Sequence, residues 1–129
     1  MNKEPGTEKQ FTEVEHELLG GVYTKVFHET EFTSHAPHYF KVERTEGEGN
    51  NVVGGVHFQE GTVKEAGVNG VFNEDLIAMI LTRLQFFQGT QFACRENAMA
   101  ITKLEEALMW LNKRTTDRRN RGVEGTYKK

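Results

Sequence analysis

The sequence predicts an α+β fold in which an N-terminal antiparallel β-sheet is followed by a C-terminal antiparallel two-helix hairpin. Two observations carry the fold class. Residues 22–66 fall into short runs rich in β-branched and aromatic side chains, punctuated by Gly, Pro and Asn. After residue 70 the apolar period changes from two to that of a helix. The 129 residues are the size of one ordinary domain, and 36% hydrophobic composition with 9 Phe is enough to fold. One domain over 1–129 is therefore expected, with a flexible arm at 1–20, the sheet at 21–70 and the helical hairpin at 71–122.

The opening residues, "MNKEPGTEKQ", contain no apolar signal-like core, and about the first ten are expected to be mobile. "GVYTKVFHE", "HYFKVER", "NVVGGVHFQ" and "TVKEAG" then read as strands; in "VYTKVF" every second side chain can face one way. Between the second and third, "ERTEGEGNN" is charged and glycine-rich, as an exposed hairpin loop would be. Gly67 and Gly70 of "GVNGV" read as turn residues, since the stretch is too short and generic for a phosphate loop.

In "FNEDLIAMILTRLQFF", Leu76, Ile77, Ile80, Leu84 and Phe87 recur at helical spacing. Asn73 is the expected N-cap, Glu74 and Asp75 suit the positive end of the helix dipole, and Gly89 ends the helix. A second helix follows "QGTQFA", with Ile101, Leu104, Leu108 and Leu111 on one stripe and Gly122 as its stop. Met99, Ala107, Met109 and Trp110 widen the apolar surface of this helix. Coverage by the chain's own sheet and a subunit interface explain that width equally well.

Composition excludes several chemistries. A single cysteine, Cys94, allows no intramolecular disulfide and no cysteine cluster for zinc, which suits a reducing cytoplasm. No run approaches the roughly 20 apolar residues of a membrane span. His35 and His38 of "HAPH" lie close together, but Pro37 opposes a helix there and no HExxH exists, so no metal site is expected. Cys94 beside Arg95 at a helix start has the setting of an activated thiol but lacks a clear base, and reads as a packing residue. P-loop, GxGxxG and GxSxG motifs are absent, leaving no catalytic set and no cofactor.

Charge is divided unevenly along the chain. Residues 1–60 carry 11 Glu against 5 Lys or Arg, whereas 61–129 carry 11 basic against 8 acidic residues, for a net −3 overall. "KRTTDRRNRG" concentrates Lys113, Arg114, Arg118, Arg119 and Arg121 around one acid, Asp117. Arg114 and Arg118, four apart, share a helix face and could clamp phosphate; a solvated helix end, favoured by the dipole, accounts for the same spacing. The pI of about 6.0 and the absence of interleaved aromatics argue against a nucleic-acid polymer as ligand.

Residues 67–126 also carry a resemblance. "GVNGV", "RLQFFQG", "FACRENAMAITKLEEALMWL" and "KRTTDRRNRGVEGT", in that order, resemble the C-terminal hairpin of the phage Thoeris anti-defence protein 1 family. The hairpin is similar to that of a phage anti-CBASS cyclic-oligonucleotide sponge. The resemblance implies a protein of the host bacterial cytoplasm that binds cyclic ADP-ribose isomers such as glycocyclic ADP-ribose without hydrolysis. It implies a symmetric hexamer and a second site for cyclic di- or trinucleotides.

It further implies that Phe87 stacks on adenine, Asn97 hydrogen-bonds the ligand, and Arg114 with Arg118 clamps the pyrophosphate. Asn97 and Arg114, 17 residues apart, would lie roughly 25 Å apart along one helix. The two ends would then reach one ligand only from different, antiparallel chains. Competing readings are a hydrolase of the same signals, with His57 or Glu96 as activating group, and a nucleic-acid-binding assembly protein with a basic tail.

Overall fold

The computed structural model of the chain describes residues 8–127. They divide between two compact units, one within 1–61 and 68–70, the other within 62–67 and 71–129. The first unit holds a four-stranded antiparallel meander: β1 (Phe11–Glu13), β2 (Thr24–Glu29), β3 (Tyr39–Arg44) and β4 (Val52–His57), paired in sequence order. The arm expected at 1–20 lies outside the described residues over 1–7, and residues 11–13 within it are paired in the sheet.

Register places Phe27 opposite Lys41 and Glu13 opposite Phe27. The Lys41 ammonium accordingly lies 4.4 Å from the Phe11 ring centre and 5.6 Å from that of Phe27, its charge facing the negative π surfaces. The opposite face carries Val26, Phe40, Val42 and Val56, with Phe40 meeting Phe58 edge-on at 5.4 Å.

Glu29, only 2% exposed, ties the sheet together at the end of β2. Its Oε2 accepts from the backbone N–H groups of His38 (2.7 Å) and Tyr39 (3.1 Å), and its Oε1 from the Lys9 ammonium (3.0 Å). The carboxylate so satisfies donors at the start of β3 that the ladder leaves unpaired. Burial pushes the Glu29 carboxyl up, but these hydrogen bonds outweigh it and hold the group below its ordinary value.

The stretch "TVKEAG" departs from its expected strand. Thr62 accepts from the Glu65 N–H at 3.4 Å and opens one helical turn, α1 (Val63–Ala66), so capping overrides the strand-like composition. Gly70 answers a close approach instead of a turn: a Cβ there would lie 2.5 Å from the carbonyl oxygen of His57 and 2.6 Å from that of Phe58. Asn69 holds this return, its side-chain amide exchanging two hydrogen bonds with the backbone of Glu60.

The hairpin consists of α2 (Asn73–Gln88) and α3 (Arg95–Asn120), which pack on one another. Phe72, rather than Asn73, occupies the N-cap position, and its N–H is satisfied by the Asp75 carboxylate at 2.9 Å. On α2 the half-buried stripe runs through Leu76, Ile77, Leu81 and Leu84, with Ile80 49% exposed. On α3 it includes the expected Ile101, Leu104, Leu108 and Leu111.

Helix α3 ends in a left-handed turn at Gly122 (φ 73°). The Gly122 and Val123 N–H groups bond the carbonyls of Arg119 and Arg118, as in a Schellman motif. Among the described residues no apolar side chain is fully buried, so the hairpin packs through half-covered stripes.

Candidate ligand-binding site

The four residues expected to bind ligand fall at the two ends of α3. At one end, Phe87 occupies the last turn of α2 and Asn97 the first turn of α3, on either side of the connection 89–94. Phe87 is 37% exposed, with the Arg83 guanidinium 5.2 Å from its ring centre. That cation–π contact restrains an aromatic face otherwise open to solvent. Asn97 is half-buried, in line with the hairpin stripe.

The connection is bracketed by its own side chains. The Thr90 hydroxyl donates to the Phe87 carbonyl (2.6 Å) and accepts from the Phe92 N–H (3.1 Å). Gln88 donates from Nε2 to the Cys94 carbonyl and accepts at Oε1 from the Cys94 N–H, both at 3.0 Å. The Cys94 thiol is exposed and caps nothing, so its expected packing role is not what the structure shows.

At the other end, Trp110, Lys113, Arg114, Asp117, Arg118 and Arg121 line a shallow groove of about 380 Å³ along successive turns of α3. Lys113 and Asp117 pair at 2.9 Å. Arg114 is exposed. Arg118 is half-buried, and its Nη2 donates to the carbonyls of Val123 (3.0 Å) and Thr126 (2.8 Å) across the Gly122 turn. These carbonyl oxygens orient the guanidinium.

Arg119 points elsewhere and pairs with Glu124 through two hydrogen bonds of 2.8 and 3.2 Å. Those bonds hold the Glu124 carboxyl below its ordinary range and raise Arg119 above its own.

Helix α3 is continuous for 26 residues. Asn97 and Arg114 are therefore about 25 Å apart along it, and a single chain does not bring the four residues together. Met109 and Trp110 remain 70% and 64% exposed.

Of the other residues considered from sequence, His57 lies at the end of β4, stacked on Tyr39 at 3.9 Å, with Nε2 3.6 Å from the Glu60 carboxylate. Glu96 is exposed in the first turn of α3. His38 is nearly buried and bonds the Thr33 carbonyl at 3.0 Å. No cluster of three potential metal ligands occurs among the described residues, and no helix among them is long and apolar enough to cross a membrane. Gln88 and Thr90 were not singled out from sequence. The available signal was a glutamine at a half-buried stripe position directly before the helix-ending glycine.

The family model described as "Acb2/Tad1, hairpin domain" matches residues 53–116, from β4 through most of α3. Thoeris anti-defense 1 of Bacillus phage SBSphiJ7 is 51% identical over 140 residues, covering 91% of this chain and 99% of that protein. The chain belongs to the Thoeris anti-defense 1 family. The hairpin match takes in Phe87, Asn97 and Arg114 and stops two residues short of Arg118.

Proposed function

We propose that this member of the Thoeris anti-defense 1 family counters Thoeris immunity in the cytoplasm of the infected bacterium by capturing cyclic ADP-ribose isomers, glycocyclic ADP-ribose among them, without cleaving them. Phe87 and Asn97 of one chain receive the adenine end, and Arg114 and Arg118 of a second chain receive the pyrophosphate. The observation that carries this reading is the unbroken α3, which separates the two half-sites by about 25 Å while leaving Met109 and Trp110 exposed for a partner. A homo-oligomer, expected to be a hexamer, completes each pocket.

Such a pocket needs no nucleophile, base or metal. A planar base gains from stacking on Phe87, and a pyrophosphate gains from charge-assisted hydrogen bonds. Arg118 is already held by the Val123 and Thr126 carbonyls, which reduces the side-chain entropy lost on capture.

The test is incubation of the purified protein with cyclic ADP-ribose isomers and cyclic di- and trinucleotides, followed by desalting, heat denaturation and mass spectrometry. Intact cyclic ADP-ribose isomer in the released fraction is the expected result, and a cyclic oligonucleotide released in an amount that excess cyclic ADP-ribose isomer does not reduce would establish a second site. Recovery of ADP-ribose or smaller fragments would make the protein a hydrolase and overturn the sponge reading.

A further inference from the structure

We infer that Gln88 is a positioning residue for the adenine end of the pocket, fixing Phe87 and Asn97 relative to one another through its paired hydrogen bonds to Cys94. The inference rests on the proposed capture of cyclic ADP-ribose isomers at that end. Gln88 directly follows Phe87 and closes α2; Cys94 is the N-cap position of α3, three residues before Asn97. One primary amide thus joins the end of one helix to the start of the next, donating to the Cys94 carbonyl and accepting from its N–H.

The bracket replaces something the sequence omits. The Cys94 side chain makes no capping hydrogen bond, so the start of α3 has no side-chain anchor at its own N-cap. The Cys94 carbonyl also accepts the first intrahelical bond, from the Ala98 N–H at 3.2 Å. Gln88 therefore grips both peptide groups that flank Cys94, where α3 starts, one turn below Asn97. Thr90 pins the Phe87 carbonyl from within the same connection, leaving the Gln88 amide as the tie across it. A ring and an amide that must meet one rigid ligand bind it well only when their separation is already set.

Gln88→Glu keeps the acceptor for the Cys94 N–H but loses the donor and turns a carboxylate oxygen toward the Cys94 carbonyl; Gln88→Ala loses both bonds. Affinity of the full-length oligomer is measured for two probes, glycocyclic ADP-ribose and inorganic pyrophosphate. Both variants are expected to weaken glycocyclic ADP-ribose about ten-fold and to leave pyrophosphate, which engages the arginine end alone, within two-fold of the parent. Equal losses for both probes would indicate general damage to fold or assembly and overturn the inference. Unchanged affinity for both would overturn it as well.

A ligand-free measurement separates failure of this inference from failure of the proposed function. In 4-fluorophenylalanine-labelled protein, the Phe87 resonance, assigned by its loss in Phe87→Leu, is expected to broaden or shift in Gln88→Ala. If the parent captures neither probe, the proposed function falls and this resonance alone decides on Gln88. An unmoved, equally sharp line would then refute the positioning role.

Discussion

Sharing of the pocket between chains can be tested by complementation. Phe87→Ala removes the stacking surface, and Arg114→Ala removes one charge-assisted contact, at a cost of about 2–3 kcal/mol or roughly 30- to 150-fold in affinity. At a ligand concentration near the parent's Kd each variant alone is expected to be filled to about 3% or less. After the two are co-refolded in equal amounts, a pocket works when the chain supplying position 87 and the chain supplying position 114 are both intact there. Random assembly gives each condition a chance of about one half, whatever the symmetry of the oligomer. About one pocket in four should therefore recover parental affinity.

Titration calorimetry reads this as a stoichiometry of roughly a quarter of the parent's, with Kd unchanged. The number follows from α3 being continuous, because a helix broken between Asn97 and Arg114 could fold both half-sites into one chain. No recovery, with mixed oligomers verified by mass, would refute the shared pocket, since a site contained in one chain cannot be rebuilt by mixing.

Other expectations follow from the sheet. Replacing Glu29 by Ala strands two backbone N–H groups and the Lys9 ammonium, and should cost about 3 kcal/mol in chemical denaturation. Because the folded-state value of Glu29 is depressed, its contribution is complete above about pH 4.5, the ordinary value, and is lost as pH falls toward the folded one. The thermal unfolding midpoint should accordingly fall with acid below that point, and Glu29→Gln should flatten the slope. Gly70→Ala drives a methyl into the His57 and Phe58 backbone and should cost about 1–3 kcal/mol, readable as a lower denaturant midpoint with an unchanged slope.

Residues whose structure is set by near neighbours were the legible ones. Period-two runs gave the principal strands, and the 3.6-residue stripe on α3 located Ile101, Leu104, Leu108 and Leu111. Gly89 and Gly122 close α2 and α3 as their positions imply. "TVKEAG" misled because Thr and Val favour strands, while a single hydroxyl-to-amide bond from Thr62 decides for a helical turn. The three-residue β1 has too little sequence of its own to declare itself. It exists through register with β2, and Lys9 beside it anchors to Glu29, 20 residues away. Gly70 looked like a turn glycine because the carbonyls that exclude a side chain there belong to residues 57 and 58.

The arginine cluster shows where the same logic stops. Spacing could pair Arg114 with Arg118 on one helix face, but it gave them equivalent roles, and the structure does not. Arg114 is exposed, whereas Arg118 reaches across the Gly122 turn to two carbonyls. Arg118 and Asn97 both continue the half-buried stripe of α3, one near each end of the helix. Two such helices crossing antiparallel near Ala107 would set Asn97 of one beside Arg118 of the other, since residue 107 lies almost midway between them. The polar ends of one helix then meet only through a second copy, and the exposed Trp110, about 60° around the helix from Ala107, lies close to that crossing, where an antiparallel partner could cover it. A helix that looks incomplete in one chain, apolar on too wide a surface and polar at both ends of its stripe, is consistent as half of a paired site.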